Sequence, residues 1–128
     1  MIEVKHGHGI LPDGHRSILD TSCVLSEAEV HWQQFLQSLV QRDMYGVKFI
    51  VSDDHAGLRA AGEAQFQDVR WQRCQFHLIR NAMGYVPRMS MCSEVAQDLR
   101  TIFDTADREE AGRRLRLLMG KYQAFMVI

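Results

Sequence analysis

Long apolar runs are missing from this 128-residue chain. No stretch approaches the ~20 residues that cross a bilayer, so no membrane role is expected. The opening MIEVKHGHG lacks the apolar core of a signal peptide, which makes the cytoplasm the expected compartment. Proline occurs only at positions 12 and 87. The three cysteines, Cys23, Cys74 and Cys92, are odd in number and lack the spacing of a disulfide framework, which fits a reducing compartment. Charge of one sign is also lacking: Lys+Arg 15 against Asp+Glu 16 leaves a net charge of -1, so the chain as a whole is not a basic nucleic-acid binder. Internal repeats and low-complexity tracts are absent too. What is present is a 46% hydrophobic content, ordinary for a globular protein and sufficient for a core in one domain-sized chain.

Residues 2–10 and 16–24 read as two strands joined at Leu11-Pro12-Asp13-Gly14-His15, where Pro12 presets a turn and Asp-Gly tolerates positive φ. Ser26 with Glu29 makes a capping box. Ala28, Trp32, Phe35, Leu36, Leu39 and Val40 then recur at helical spacing, with Tyr45-Gly46 as the expected stop. Val47–Val51 reads as a buried strand. A helix through Phe66, a strand over Val69–Cys74 and a helix from Gln75 with Phe76, Leu78, Ile79 and Met83 follow. Beyond Val86-Pro87 the pattern is purely helical. One stripe holds Met91, Val95, Leu99, Ile102 and Phe103, and a second capping box, Asp107 with Glu110, opens a helix bearing Ala111, Leu115, Leu118 and Met119. The order predicts an α/β layer with a helical attachment.

Asp53 directly follows the apolar strand, at the edge where open α/β sheets gather ligands and catalytic groups. A carboxylate there either holds a divalent metal together with water and phosphate oxygens, or caps the following helix, a role open to Asp54 as well. Cys74 and His77 form a Cys-x-x-His pair, but zinc needs four ligands and no second pair is spaced to complete it. A small buried cysteine beside a partly exposed histidine accounts for the pair equally well. His6 and His8 supply at best half of a site. Arg70, Arg73, Arg80 and Arg88 crowd one stretch with Asp68 as the nearby acid, and read either as a solvated face or as a surface that meets phosphates.

Ser52-Asp53-Asp54-His55-Ala56-Gly57-Leu58, followed by Trp71-Gln72-Arg73-Cys74-Gln75-Phe76-His77 with Arg80-Asn81 close behind, resembles the Mutator-type transposases of bacterial insertion sequences. The hairpin, the helix around Trp32 and the Leu99–Phe103 segment fall in matching order, so the resemblance runs to about Tyr122. It implies a partial ribonuclease-H-like core (a mixed sheet with flanking helices) over residues 1–82 and the start of an all-helical insertion over 83–128. It also implies DNA cleavage and joining at insertion-sequence ends through three carboxylates and Mg²⁺.

By motif position Asp53 matches the second carboxylate and metal ligand, while Cys74 and His77 match an element near the active site. The first Asp is expected upstream of the hairpin and the final Glu beyond the helical insertion. Asp20 is misplaced to substitute, and the apolar ending departs from the family's polar helix. The expectation is therefore a catalytically incomplete transposase chain with no independent transposition, whose partners are insertion-sequence DNA and either a second copy of itself or full-length transposase. The alternatives are a small DNA-binding or regulatory module that co-assembles with full-length transposase and poisons it, and a non-functional pseudogene product with exposed sheet edges.

Overall fold

The computed structural model describes residues 3–24 and 28–125. β1 (Glu3–Ile10) and β2 (Arg16–Val24) pair antiparallel from Ile10↔Arg16 to Glu3↔Val24. Their turn closes by Leu11 N–H donating to His15 O at 2.9 Å, Gly14 N–H donating to Leu11 O at 2.9 Å, and Asp13 Oδ1 accepting from His15 N–H at 3.0 Å. Gly14 takes φ 86°, so the expected Pro-Asp-Gly turn is present. The register slips between Gly7 and His8, placing Gly7 opposite Asp20 and His8 opposite Ile18. His8 is exposed, and the His6 side chain lies outside the described residues.

α1 (Glu29–Gln41) buries Phe35, Leu36 and Leu39 of the predicted stripe with Trp32 packed on them, whereas Val40 is exposed and Ala28 precedes the helix. Ala28 stands at its N-cap position with no side-chain bond, and the expected Ser26 cap lies outside the described residues. The helix ends earlier than Tyr45-Gly46. Asp43 adopts φ 64° and Met44 N–H reaches back to Leu39 O at 3.1 Å, because a short polar side chain tolerates the left-handed turn usually given to glycine.

β3 (Phe49–Ser52), α2 (Ala56–Gln65) and β4 (Arg70–Arg73) follow, and β3 and β4 are hydrogen-bonded neighbours. Among the described residues the strands form two two-stranded sheets, not one mixed sheet. The buried strand expected at Val47–Val51 is covered on one face: Ile50 packs into the core while Phe49 and Val51 are 57% and 58% exposed. α3 (Gln75–Met83), α4 (Met89–Phe103) and α5 (Arg108–Lys121) complete a mixed α/β chain with five helices among the described residues. None is long and apolar enough to cross a membrane.

The chain divides into two compact units, one ending at Gln72 and the other beginning at Arg73. The first is built on Phe35, Leu36, Leu39, Leu58, Ala61 and Phe66, joined by Leu19, Trp32 and Ile50. The second is built on Val95, Leu99, Leu118 and Tyr122, with Ile79, Met83 and Ile102 packed on them. Phe76 and Met119, placed on the apolar stripes by spacing, are exposed instead. Asp107 does cap α5, its Oδ1 accepting from Glu110 N–H at 2.9 Å, but Glu110 does not return the bond. Its carboxylate binds Arg113 and Arg114. Lys121 clasps α4 through Glu94 and Asp98 at 2.7 and 2.6 Å, and Tyr122 OH donates to Asp98 at 2.7 Å.

Candidate functional site

Asp53 lies where β3 ends, exposed, two residues before the N-cap of α2. Neither Asp53 nor Asp54 caps that helix. The cap is His55, whose Nδ1 accepts the Leu58 N–H at 3.0 Å. The helix begins at Ala56, so only the side chain at position 55 is placed to reach the third amide of the first turn. The imidazole is held edge-on to Trp32 with centroids 6.0 Å apart. A Cβ on Gly57 would stand 3.1 Å from His55 Cε1 and 3.2 Å from the Glu29 backbone, so glycine is what allows α2 to start against α1. Leu58, which donates to the cap, is itself buried in the core.

The backbone of Asp53 is fixed at its carbonyl. That oxygen accepts the Ser52 hydroxyl at 2.8 Å and the His55 N–H at 2.9 Å. Ser52 Oγ in turn accepts the Trp71 indole N–H from β4 at 2.9 Å. The Arg59 guanidinium lies 5.2 Å above the Trp71 ring and pairs with Glu63 at 3.1 Å. The Asp53 carboxylate makes no hydrogen bond or ion pair with any described residue. Its oxygens are therefore available to an external cation or donor.

Among the described residues no group of three or more His, Cys, Asp or Glu side chains converges in a way that would hold a metal ion. Mg²⁺ is commonly bound by one or two carboxylates plus water and phosphate oxygens. Asp53 fits the part of one such ligand and no more.

Cys74 occupies the N-cap position of α3, half-buried and without a side-chain capping bond. His77 follows in the first turn of that helix. It meets the Phe76 ring edge-on at 5.5 Å, and its Nδ1 is buried with no hydrogen-bond partner among the described residues. Arg70 is exposed on β4 and Arg73 half-buried, at positions of opposite pleat. Arg80 is exposed in the last turn of α3, where a cation complements the helix dipole, and Arg88 is exposed at the N-cap of α4.

The shifted ionisations belong to the second unit and the hairpin turn. Hydrogen bonds from Arg113 and then Arg114 hold Glu110 down to about 2. Asp98 is lowered by Lys121 and then Tyr122. Asp13 is lowered chiefly by the His15 backbone N–H.

Sequence reasoning missed the His55 cap and the Trp71–Ser52 bond. Both residues sit inside the quoted motifs, which was the available signal. No spacing rule joins residues 52 and 71 in advance of the β3–β4 pairing.

A mixed α/β chain with a strand-end aspartate set in a Ser-Asp-x-His-x-Gly-Leu turn is the class of protein that these observations define. The family model "Transposase, Mutator family" matches residues 3–126, and the chain belongs to that family. It is 46% identical over 108 residues to the transposase for insertion sequence element IS406 of Burkholderia multivorans, covering 84% of this chain and 28% of the relative. It is 40% identical over 114 residues to the transposase for ISRM5 of Rhizobium meliloti, covering 89% of this chain and 28% of the relative. Against the transposase for IS256 in transposon Tn4001 of Staphylococcus aureus it is 34% identical over 109 residues, covering 84% and 28%. The chain thus spans about 28% of the length of these curated relatives.

Proposed function

We propose that this chain supplies one carboxylate, Asp53, and part of the DNA-contacting surface to a metal-dependent reaction that cleaves and joins strands at insertion-sequence ends. The observation that carries the reading is Asp53 itself, exposed at a strand end, fixed at its carbonyl and free of partners among the described residues. Membership of the transposase family gives that carboxylate a reaction to serve. Mg²⁺, when bound, neutralises the charge that develops on the attacking and leaving oxygens of phosphodiester exchange.

Asp53 would hold that ion by an oxygen, and its locked peptide would keep the oxygen at the strand end. Cys74 and His77 are proposed to serve the same reaction. Arg70, Arg73, Arg80 and Arg88 are proposed to meet phosphates, which positions DNA without reading its sequence. In this reading residues 1–82 belong to a ribonuclease-H-like core and 83–128 to a helical insertion.

A two-metal centre needs carboxylates besides Asp53, so these residues are proposed to act together with further transposase chain, by homo-oligomerisation or co-assembly. The purified chain with Mg²⁺ and DNA bearing the element's ends should neither nick nor join strands. A chimera in which the chain replaces the aligned segment of the Burkholderia relative should transpose. Asp53→Asn in that chimera should lower strand cleavage about a thousandfold, since metal stabilisation is several kcal/mol. A chimera indifferent to Asp53→Asn refutes the assignment.

A further inference from the structure

We infer that Trp71 is a positioning residue for Asp53, acting through the Ser52 hydroxyl; the inference deepens the proposed role of Asp53 and rests on it for its functional meaning. A serine hydroxyl has one proton to donate and two lone pairs to accept with. The Trp71 indole N–H, a donor only, fills one of those lone pairs at 2.9 Å. The hydroxyl proton is then directed to the Asp53 carbonyl at 2.8 Å. The second lone pair of that carbonyl is taken by His55 N–H at 2.9 Å. Both acceptor sites of the Asp53 carbonyl are therefore occupied, and the peptide plane that follows the residue is fixed on both sides.

A side chain's direction follows from the backbone that bears it, so fixing this plane narrows the rotamers open to the carboxylate. The residue whose carboxylate oxygens have no partner among the described residues thus has its carbonyl held by two donors. Arg59 stacks 5.2 Å above the indole and packs the ring in place. The residues come from β3, the turn before α2, α2 itself and β4, so Asp53 is aimed by the β3–α2–β4 arrangement and not by its own turn alone. Loss of a supporting group that orients a metal ligand typically lowers metal affinity 10–100-fold.

The test uses the 128-residue chain, with isotope-edited NMR of the Asp53 side chain and Mn²⁺ as the metal probe. Trp71→Phe keeps an aromatic ring under Arg59 but removes the N–H. Ser52→Ala removes the relay, and Ser52→Thr restores a hydroxyl. In Trp71→Phe and in Ser52→Ala the Asp53 χ1 couplings should collapse toward the rotamer average, and the Asp54 and His55 amide signals should shift. The double variant should go no further than either single one, and Ser52→Thr should recover most of the order.

Apparent Mn²⁺ affinity should fall about tenfold in both single variants. Thermal midpoints recorded alongside identify any variant that has merely unfolded, and the Ser52→Ala and Ser52→Thr pair decides the matter if Trp71→Phe does so. Asp53 couplings unchanged in folded Trp71→Phe or in Ser52→Ala, or effects that add in the double variant, overturn the inference. Asp53 ordered in the parent and loosened in the variants, with no Mn²⁺ broadening at Asp53 in any of them, upholds the positioning role and refutes the metal role instead.

Discussion

His55→Ala separates capping from site chemistry at the start of α2. The substitution removes the acceptor of the Leu58 N–H and the edge contact with Trp32. Loss of a helix N-cap costs about 1 kcal/mol, and an aromatic pair contributes roughly 0.5–1.5 kcal/mol beyond its buried area. The expected destabilisation of the first unit is therefore about 2 kcal/mol. His55→Asn keeps an oxygen able to reach the amide but loses the ring, so about half of that loss should return. Asp53→Ala removes an exposed carboxylate without a partner among the described residues, and should stay within about 0.5 kcal/mol of the parent.

Both tryptophans of the chain, Trp32 and Trp71, lie in the unit that ends at Gln72, so tryptophan fluorescence during urea unfolding follows the surroundings of residues in that unit. At a slope of roughly 1–2 kcal/mol per molar, 2 kcal/mol moves the midpoint by about 1–2 M. A midpoint left in place by His55→Ala, or moved further by Asp53→Ala than by His55→Ala, refutes the reasoning.

Three further outcomes follow from the same contacts. Glu110 is depressed to about 2 in the folded chain from an ordinary 4.5, so its stabilising pairs with Arg113 and Arg114 are fully present above that ordinary value and fade as pH falls toward the depressed one. Asp98 adds in the same direction, and helicity of α4 and α5 followed by circular dichroism should become less heat-stable through that window. Gly57→Ala sets a methyl 3.1 Å from His55 and 3.2 Å from the Glu29 backbone, and crowding of about 1–3 kcal/mol should outweigh the ~1 kcal/mol helical gain, lowering the fluorescence-monitored midpoint. Val95→Ala, at a fully buried position, should cost about 2 kcal/mol in a dichroism melt.

Much of the chain was legible because local chemistry alone settles it. Pro12-Asp13-Gly14 closes the hairpin as read, since a left-handed glycine and an aspartate that binds its own turn need no tertiary help. Asp107 caps α5 for the same reason. The misses fall where composition alone does not choose between two local or tertiary outcomes. Asp43 ends α1 ahead of Gly46 because its backbone accepts a conformation that composition assigns to glycine first. Phe49 and Val51 read as core because an apolar run does not reveal how many of its faces the chain will cover.

The strand-end motif shows where such reading stops and what replaces it. Three acceptors in a row, Asp53, Asp54 and His55, precede α2, and aspartate is by far the more usual cap. Had Asp54 or Asp53 filled that place, its carboxylate would have been tied to a helix amide. His55 takes that place, and its imidazole packs edge-on against Trp32, a residue of α1. Gly57 then permits the approach to Glu29 that brings those two helix starts together. The histidine and the glycine of the motif thus act on the geometry of α1 and α2, and one consequence is an aspartate at a strand end whose oxygens are not used for capping. The role proposed for Asp53 and the capping by His55 thus fall to residues two positions apart, so substitution at Asp53 is expected to register in metal affinity and substitution at His55 in stability.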